Sequence, residues 1–214
     1  MRLYDYPGAP SPRKVRLFIA EKGIDVATVA VDLRVQAQHD PVFLAKNPGG
    51  TVPVLELEDG TCLTESLAIC HYLEQLHPLP NLFGATPKEQ ALVLMWTQIQ
   101  TLDGYTAIQD VLRNTHPAFK GRAVGGPLPY EQIPALADRG RTRAAAFFDR
   151  LDARLAASEY VALGRFSYAD IVGFVNCEFA IRSLREDPAE RRPNVKRWRD
   201  AVAARPAIGA IAAS

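Results

Sequence analysis

The spacing of apolar residues changes once along this chain of 214 residues, shortly after His77. Before that point strand-like runs alternate with helical ones; beyond it only helical spacing is found. Leu3 and Tyr4 lie in an opening strand, and a Pro/Gly/Ser turn runs from Pro7 to Pro12. An amphipathic helix through Val15, Leu17, Phe18 and Ile19 stops at Gly23, the usual residue just past a helix end. Val26 to Val31 alternates as a second strand, and Asp40 caps a short helix that runs out at Asn47-Pro48. Val52 to Leu57 and Thr61 to Leu63 flank Asp59-Gly60, a hairpin signal. Leu67, Cys70, Leu73 and Leu76 then recur at helical spacing. The order β-α-β-α-β-β-α implies a small mixed sheet with helices packed over it.

A linker rich in proline, 78–87, separates this part from an all-helical one, 88–214. The spacing predicts one long helix from Lys88 to Asn114, with Leu92, Met95, Trp96, Ile99, Leu102 and Ile108 on its apolar face. A looser stretch from Thr115 to Pro129 follows. Further helices are expected over Glu131–Ala156, Tyr168–Ser183 and Val195–Ala204.

The net charge of +1 gives no electrostatic reason to expect nucleic acid or an anionic membrane as partner. No apolar run approaches the roughly 20 residues that span a bilayer. The opening Met1-Arg-Leu-Tyr-Asp-Tyr reads as a strand and not as a signal peptide. Three cysteines, Cys62, Cys70 and Cys177, form no CxxC pair. A reducing, cytoplasmic setting is the economical expectation.

Two short segments carry candidate chemistry. Pro53 starts a strand without an N–H to give, and most X–Pro bonds are trans. A cis bond there would leave the backbone of Val52 as an open edge to which an extended peptide could pair. Ser66 stands at the first turn of the following helix, where unpaired N–H groups favour an anion, and Glu65 beside it suits an ammonium group. Together they fit an amino-acid zwitterion; equally, both residues can simply begin a helix.

Asn47-Pro-Gly-Gly-Thr-Val-Pro-Val-Leu55, the Asp59-Gly60 hairpin and Leu63-Thr-Glu-Ser66 resemble the amino-terminal, thioredoxin-like domain of cytosolic glutathione transferases. Ser11-Pro-Arg-Lys-Val-Arg-Leu17 is similar to the first helix of bacterial and fungal members, of theta, zeta or beta kind. Phe166-Ser-Tyr-Ala-Asp-Ile171 resembles the family's capping-box segment, in which Ser167 and Asp170 satisfy backbone donors reciprocally. The resemblance implies a glutathione-binding domain over 1–77 and a helical domain over 88–214 that contributes the electrophile site. It implies that Val52, beside a cis Pro53, pairs with the cysteinyl part of glutathione, and that Glu65 and Ser66 hold its γ-glutamyl end. Gln38, with His39 next to it, falls where relatives bind the glycyl carboxylate. It also implies a homodimer, with Asp103 reaching the neighbour's glutathione, and no metal.

The match fails at the residue that favours the thiolate. The serine of many relatives falls at Ala9, which has no hydroxyl. Ser11 is the first candidate in its place, although it also reads as the cap of the first helix; Tyr6 is the second. Tyr105, Ile108, His116 and Phe119 are candidate walls for a small hydrophobic electrophile, where the helical domain faces the first-helix loop. The expected activity is conjugation of glutathione to such an electrophile. A glutathione-dependent isomerase or peroxidase on the same scaffold, or a non-catalytic binding or regulatory protein, are the alternatives.

Overall fold

The computed structural model describes residues 1–212. The chain forms two compact units. One is Met1–Pro80 together with Val124–Pro129; the other is Asn81–Ala123 with the chain from Tyr130 onward.

The first unit is a four-stranded mixed sheet in the order β2-β1-β3-β4, with β1 (Arg2–Asp5), β2 (Ala27–Ala30), β3 (Val54–Glu56) and β4 (Cys62–Thr64). β1 runs parallel to β2 and antiparallel to β3, with Leu3 opposite Leu55; β3 and β4 close the expected hairpin. β3 is shorter than the alternation suggested, because Pro53 has no N–H for the ladder. α1 (Pro10–Lys22) and α3 (Ser66–Leu76) pack together, and α2 is the short helix Pro41–Leu44 capped by the Asp40 side chain. Leu3, Val15, Leu17, Phe18, Leu55, Ile69 and Leu73 are buried in the core, each contributing about 2 kcal/mol of apolar transfer. Gly23 ends α1 at φ 63°, in the left-handed region that glycine enters freely. Lys22 ties the far ends of α1 and α3 together: its ammonium pairs with Glu74 and donates to the carbonyls of His77 and Pro80 at 2.7 and 2.6 Å.

The second unit is helical: α4 (Pro87–Ile99), α5 (Thr106–Thr115), α6 (Pro134–Ala156), α7 (Tyr168–Leu184), α8 (Pro193–Ala203) and α9 (Pro206–Ala212). Three expectations are corrected here. The long helix is not uniform, because Gln100–Tyr105 is a π-helical turn between α4 and α5. Asn176 Nδ2 donates to the Gln100 carbonyl at 2.9 Å, and a Cβ at Gly104 would come within 2.7 Å of the Phe147 ring. A side chain inserted into the backbone ladder and a backbone pressed against an aromatic ring both favour the wider turn. The buried face of this run is Val93, Thr97, Gln100, Gly104, Ala107, Ile108 and Val111, whereas Met95 and Leu102 are exposed. Lastly, α6 begins at Pro134 and not at Glu131, since Tyr130 pairs its backbone with Gly121 and Ala123 instead.

Candidate functional site

The turn from β4 into α3 places Glu65 at φ 65°, ψ 119°, a region that costs an L-residue about 1–3 kcal/mol. That backbone starts α3 abruptly at Ser66. Glu65 makes no side-chain cap hydrogen bond, and the largely buried Ser66 hydroxyl has no partner among the described residues. The first N–H groups of α3 therefore face outward with the positive end of the helix dipole, an arrangement suited to a carboxylate. Lys14, on α1, is buried. Burial lowers its ammonium to about 8, opposed by the nearby Cys70 and Glu65.

A second cluster forms around the turn 47–52. Asn47 organises it: Nδ2 donates to the Thr51 carbonyl at 2.8 Å and to the Thr51 hydroxyl at 3.0 Å, while Oδ1 accepts from Gly49 N–H at 3.0 Å. The turn leads into Val52–Pro53, which is cis. Val52 lies outside the ladder, and its backbone makes no hydrogen bond among the described residues. His39 lies over the same turn; a Cβ at Gly50 would be 3.0 Å from its Cδ2. Gln38 is buried, and its Oε1 has no hydrogen-bond partner among the described residues. An orphaned buried amide needs a ligand or water to satisfy it, and the same amide turned over presents N–H groups to a carboxylate. Gly126, in the segment Val124–Pro129 of this unit, also packs here: its Cβ position is 3.4 Å from the Gly49 carbonyl oxygen.

At the start of α1 the reading of Ser11 as cap is corrected. The N-cap is Ala9, with φ −91° and ψ 138° and no capping side chain, and Ser11 lies inside the first turn. Pro10 at the first helical position sets this boundary, because its missing N–H is one the helix could not have used. The Ser11 hydroxyl is half-buried and makes no hydrogen bond among the described residues. The Tyr6 ring packs against Gly8, 2.8 Å from where a Cβ would stand.

In the helical unit Phe119 lies against Arg113 with His116 at its edge, while the Tyr105 ring packs on Phe179 at 5.4 Å. The Arg113 guanidinium is 4.8 Å from the Phe119 ring centre, His116 and Phe119 are edge to face at 6.0 Å, and Tyr105 interacts electrostatically with Arg113. His116 Nδ1 accepts from Ala118 N–H at 3.2 Å and so caps the turn Pro117–Phe119. Ile108 is corrected: it is fully buried in the helical core and offers no surface to a ligand. Asp103 is half-exposed and paired with Arg150 at 3.1 Å, a surface pair worth under about 1 kcal/mol.

The sequence reading missed two contributors. Lys14 was hidden because basic residues in a first helix usually face water. Asn47 was quoted in its motif, yet an Asn before Pro-Gly-Gly is a turn-former whose side chain bonds its own backbone, and that signal was present.

A model of the glutathione S-transferase N-terminal domain matches residues 3–81, and one of the C-terminal domain matches 113–206. Glutathione S-transferase 2 of Saccharomyces cerevisiae is 32% identical over 97% of this chain and 88% of its own length. A glutathione S-transferase domain-containing protein of Marinobacter aquaeolei superimposes with a TM-score of 0.89 at 34% identity, covering 97% of this chain and 100% of that one. A glutathione S-transferase from Methylobacillus flagellatus, solved with glutathione bound, gives a TM-score of 0.82 at 26% identity and covers 98% of each chain. With a thioredoxin-like sheet, an uncapped α3 and a helical second unit already in place, these likenesses carry one conclusion: the chain belongs to the glutathione S-transferase family.

Proposed function

We propose that this protein is a glutathione transferase that conjugates the glutathione thiolate to a small hydrophobic electrophile. One observation carries the binding part: among the described residues no side chain caps the start of α3 and the Ser66 hydroxyl makes no hydrogen bond, with Glu65 alongside. The γ-glutamyl carboxylate meets the helix N-terminus and Ser66, its ammonium meets Glu65, and the backbone of Val52 pairs with the cysteinyl residue. Gln38 and His39 take the glycyl end. Ser11, whose hydroxyl is not used in capping, is the first choice for hydrogen-bonding the sulfur and so favouring the thiolate; Tyr6 is the second. The sulfur then attacks carbon, and the leaving group departs with the bonding pair.

In this reading residues 1–77 hold glutathione, 78–87 link, and 88–214 supply the electrophile side through Tyr105, His116 and Phe119. The protein works in the cytoplasm as a homodimer, in a detoxifying role, with Asp103 turned to the partner's glutathione. Among the described residues no helix is long and apolar enough to cross a membrane, and no His/Cys/Asp/Glu cluster could hold a metal ion.

The experiment is retention on immobilised glutathione. Wild-type protein should be retained and eluted by free glutathione, and the double variant Glu65→Ala, Ser66→Ala should pass through unbound. Retention that survives the double change overturns the site assignment.

A further inference from the structure

Arg113 and Arg122 are two cations of the helical unit that share one aromatic ring and have no carboxylate partner among the described residues. The Arg113 guanidinium is half-buried, and Nη1 donates to the Arg122 carbonyl at 3.2 Å. Arg122 Nε donates to the Ala118 carbonyl at 2.8 Å. Both guanidinium groups lie against one ring, 4.8 and 5.7 Å from the centre of Phe119. Neither forms an ion pair among the described residues. Of the acids nearby, Asp110 faces Arg143 at 3.6 Å, and Glu131 lies beside Gly121, with Oε1 at 3.8 Å from its Cβ position, without pairing to either guanidinium among the described residues.

The segment is held in shape from behind. Gln132 Nε2 donates to the carbonyls of Arg113 and His116 at 2.8 and 2.9 Å, and Ile133 N–H donates to Asn114 Oδ1 at 2.8 Å. A preformed aromatic face, Phe119 with His116 edge-on to it, therefore carries two guanidinium groups that form no ion pair among the described residues. Placing like charges together around a half-buried site is unfavourable unless an anion joins them. Burial and the neighbouring Arg122 both press the Arg113 charge downward.

We propose that the preferred electrophile of this enzyme is an aromatic or unsaturated compound bearing a carboxylate, its ring against Phe119 and its carboxylate between Arg113 and Arg122. This rests on the transferase reading above and sharpens its substrate class from hydrophobic to anionic and hydrophobic. Arg offers a carboxylate two parallel N–H donors, while the ring face keeps the apolar part of the substrate.

The test compares 4-chloro-3,5-dinitrobenzoate with neutral 1-chloro-2,4-dinitrobenzene. In both the glutathione sulfur bonds to the ring carbon bearing chlorine, chloride leaves with the C–Cl pair, and the thiol proton passes to water. Each kcat/KM is divided by the uncatalysed rate constant with glutathione at the same pH. The wild-type ratio of anionic to neutral should be about tenfold, one charge-assisted contact's worth, and Arg113→Gln and Arg122→Gln should each bring it toward one. Arg122→Lys, which keeps the charge, should retain most of it. A loss of folding quality lowers both substrates alike and leaves the ratio standing, which overturns the proposal, as does a wild-type ratio of one. Conjugation of neither compound overturns the transferase reading itself, and this inference with it.

Discussion

Two helix starts in this molecule use the same vocabulary, a serine and an acid, to opposite ends. At α7 the acid follows the serine by three residues, and Asp170 folds back to accept from the Ser167 N–H and hydroxyl at 2.9 and 2.8 Å. It also accepts from Val161 N–H and from Trp198 Nε1, both at 2.9 Å, so every oxygen is used inside the fold. At α3 the acid precedes the serine by one residue, at a positive φ, and among the described residues no side chain caps the helix start. The order of two residues decides whether a helix N-terminus is closed by its own side chains or left open. α4 agrees: Glu89, three after Thr86, accepts from Ala85 N–H at 2.8 Å, and Thr86 accepts from Glu89 N–H at 3.2 Å.

The largest expected effect lies on the folding side. Asp170→Ala strands four donors in a fully buried position and should cost about 3–5 kcal/mol, read as a shift of the urea midpoint. Ser66→Ala should stay within about 0.5 kcal/mol on the same scale. Equal costs at the two sites would erase the distinction.

Next in size is a pH effect of opposite sign at the two capped helices. Burial raises the Asp170 carboxyl from 3.8 to about 6 despite its donors. The folded state then holds a proton that the unfolded chain has released, so stability falls as pH rises from about 4 to about 6, by up to about 3 kcal/mol, and is level above. Asp170→Asn should flatten that slope. Glu89 goes the other way: Arg165, paired with it at 2.7 Å, holds it down at about 2, so its contribution is present above pH 4.5 and lost as pH falls toward 2. Urea titrations across pH 2–8 of wild type and Asp170→Asn separate the two slopes.

How much of this was legible depends on whether a residue's role is local. Gly23, Asp40, Asp59-Gly60 and the Ser167-x-x-Asp170 spacing act on their own backbone within a few residues, and the order of elements in the first unit follows from them. The buried face of α4 was not legible. Thr97 and Gln100 are polar, the place of Gln100 inside depends on Ala169 and Asn176 far along the chain, and the π turn that Gln100 begins shifts the phase of every residue after it. α9 went unread because Ala-rich residues after Pro206 show no polar face to set against an apolar one. Glu65 and Ser66 were legible from their motif as the start of α3, whereas Arg113 and Arg122 meet around Phe119 only once the 116–123 loop is folded.

A smaller effect tests whether α3 gives up stability for its openness. Glu65→Gly relieves a backbone that an L-residue rarely adopts, and the gain should be about 1 kcal/mol after the unfolded-state entropy of glycine is counted. The same variant should bind glutathione at least tenfold more weakly, since the ammonium loses its carboxylate. Calorimetric unfolding and glutathione titration on one preparation measure both. A Glu65→Gly protein that is less stable would make Glu65 part of the folding machinery, and α3 would then resemble α7 after all.

The smallest stability change is expected at Ser11, and there the comparison is sharpest. A capping serine replaced by alanine costs about 1 kcal/mol. Ser11 is not the cap; Ala9 holds that place, so Ser11→Ala should leave the melting temperature within about 1 °C, as alanine is the better helix former. If the hydroxyl serves the sulfur, kcat/KM for chlorodinitrobenzene should fall by about 10–100-fold, and the apparent pKa of bound glutathione, read from thiolate absorbance, should rise by about 1–2 units. An unchanged thiolate titration would remove Ser11 from the chemistry and pass the role to Tyr6 or to backbone N–H groups at the start of α1. Because the Ser11 hydroxyl does nothing for the helix containing it, the thiolate titration reads directly whether it serves a ligand instead.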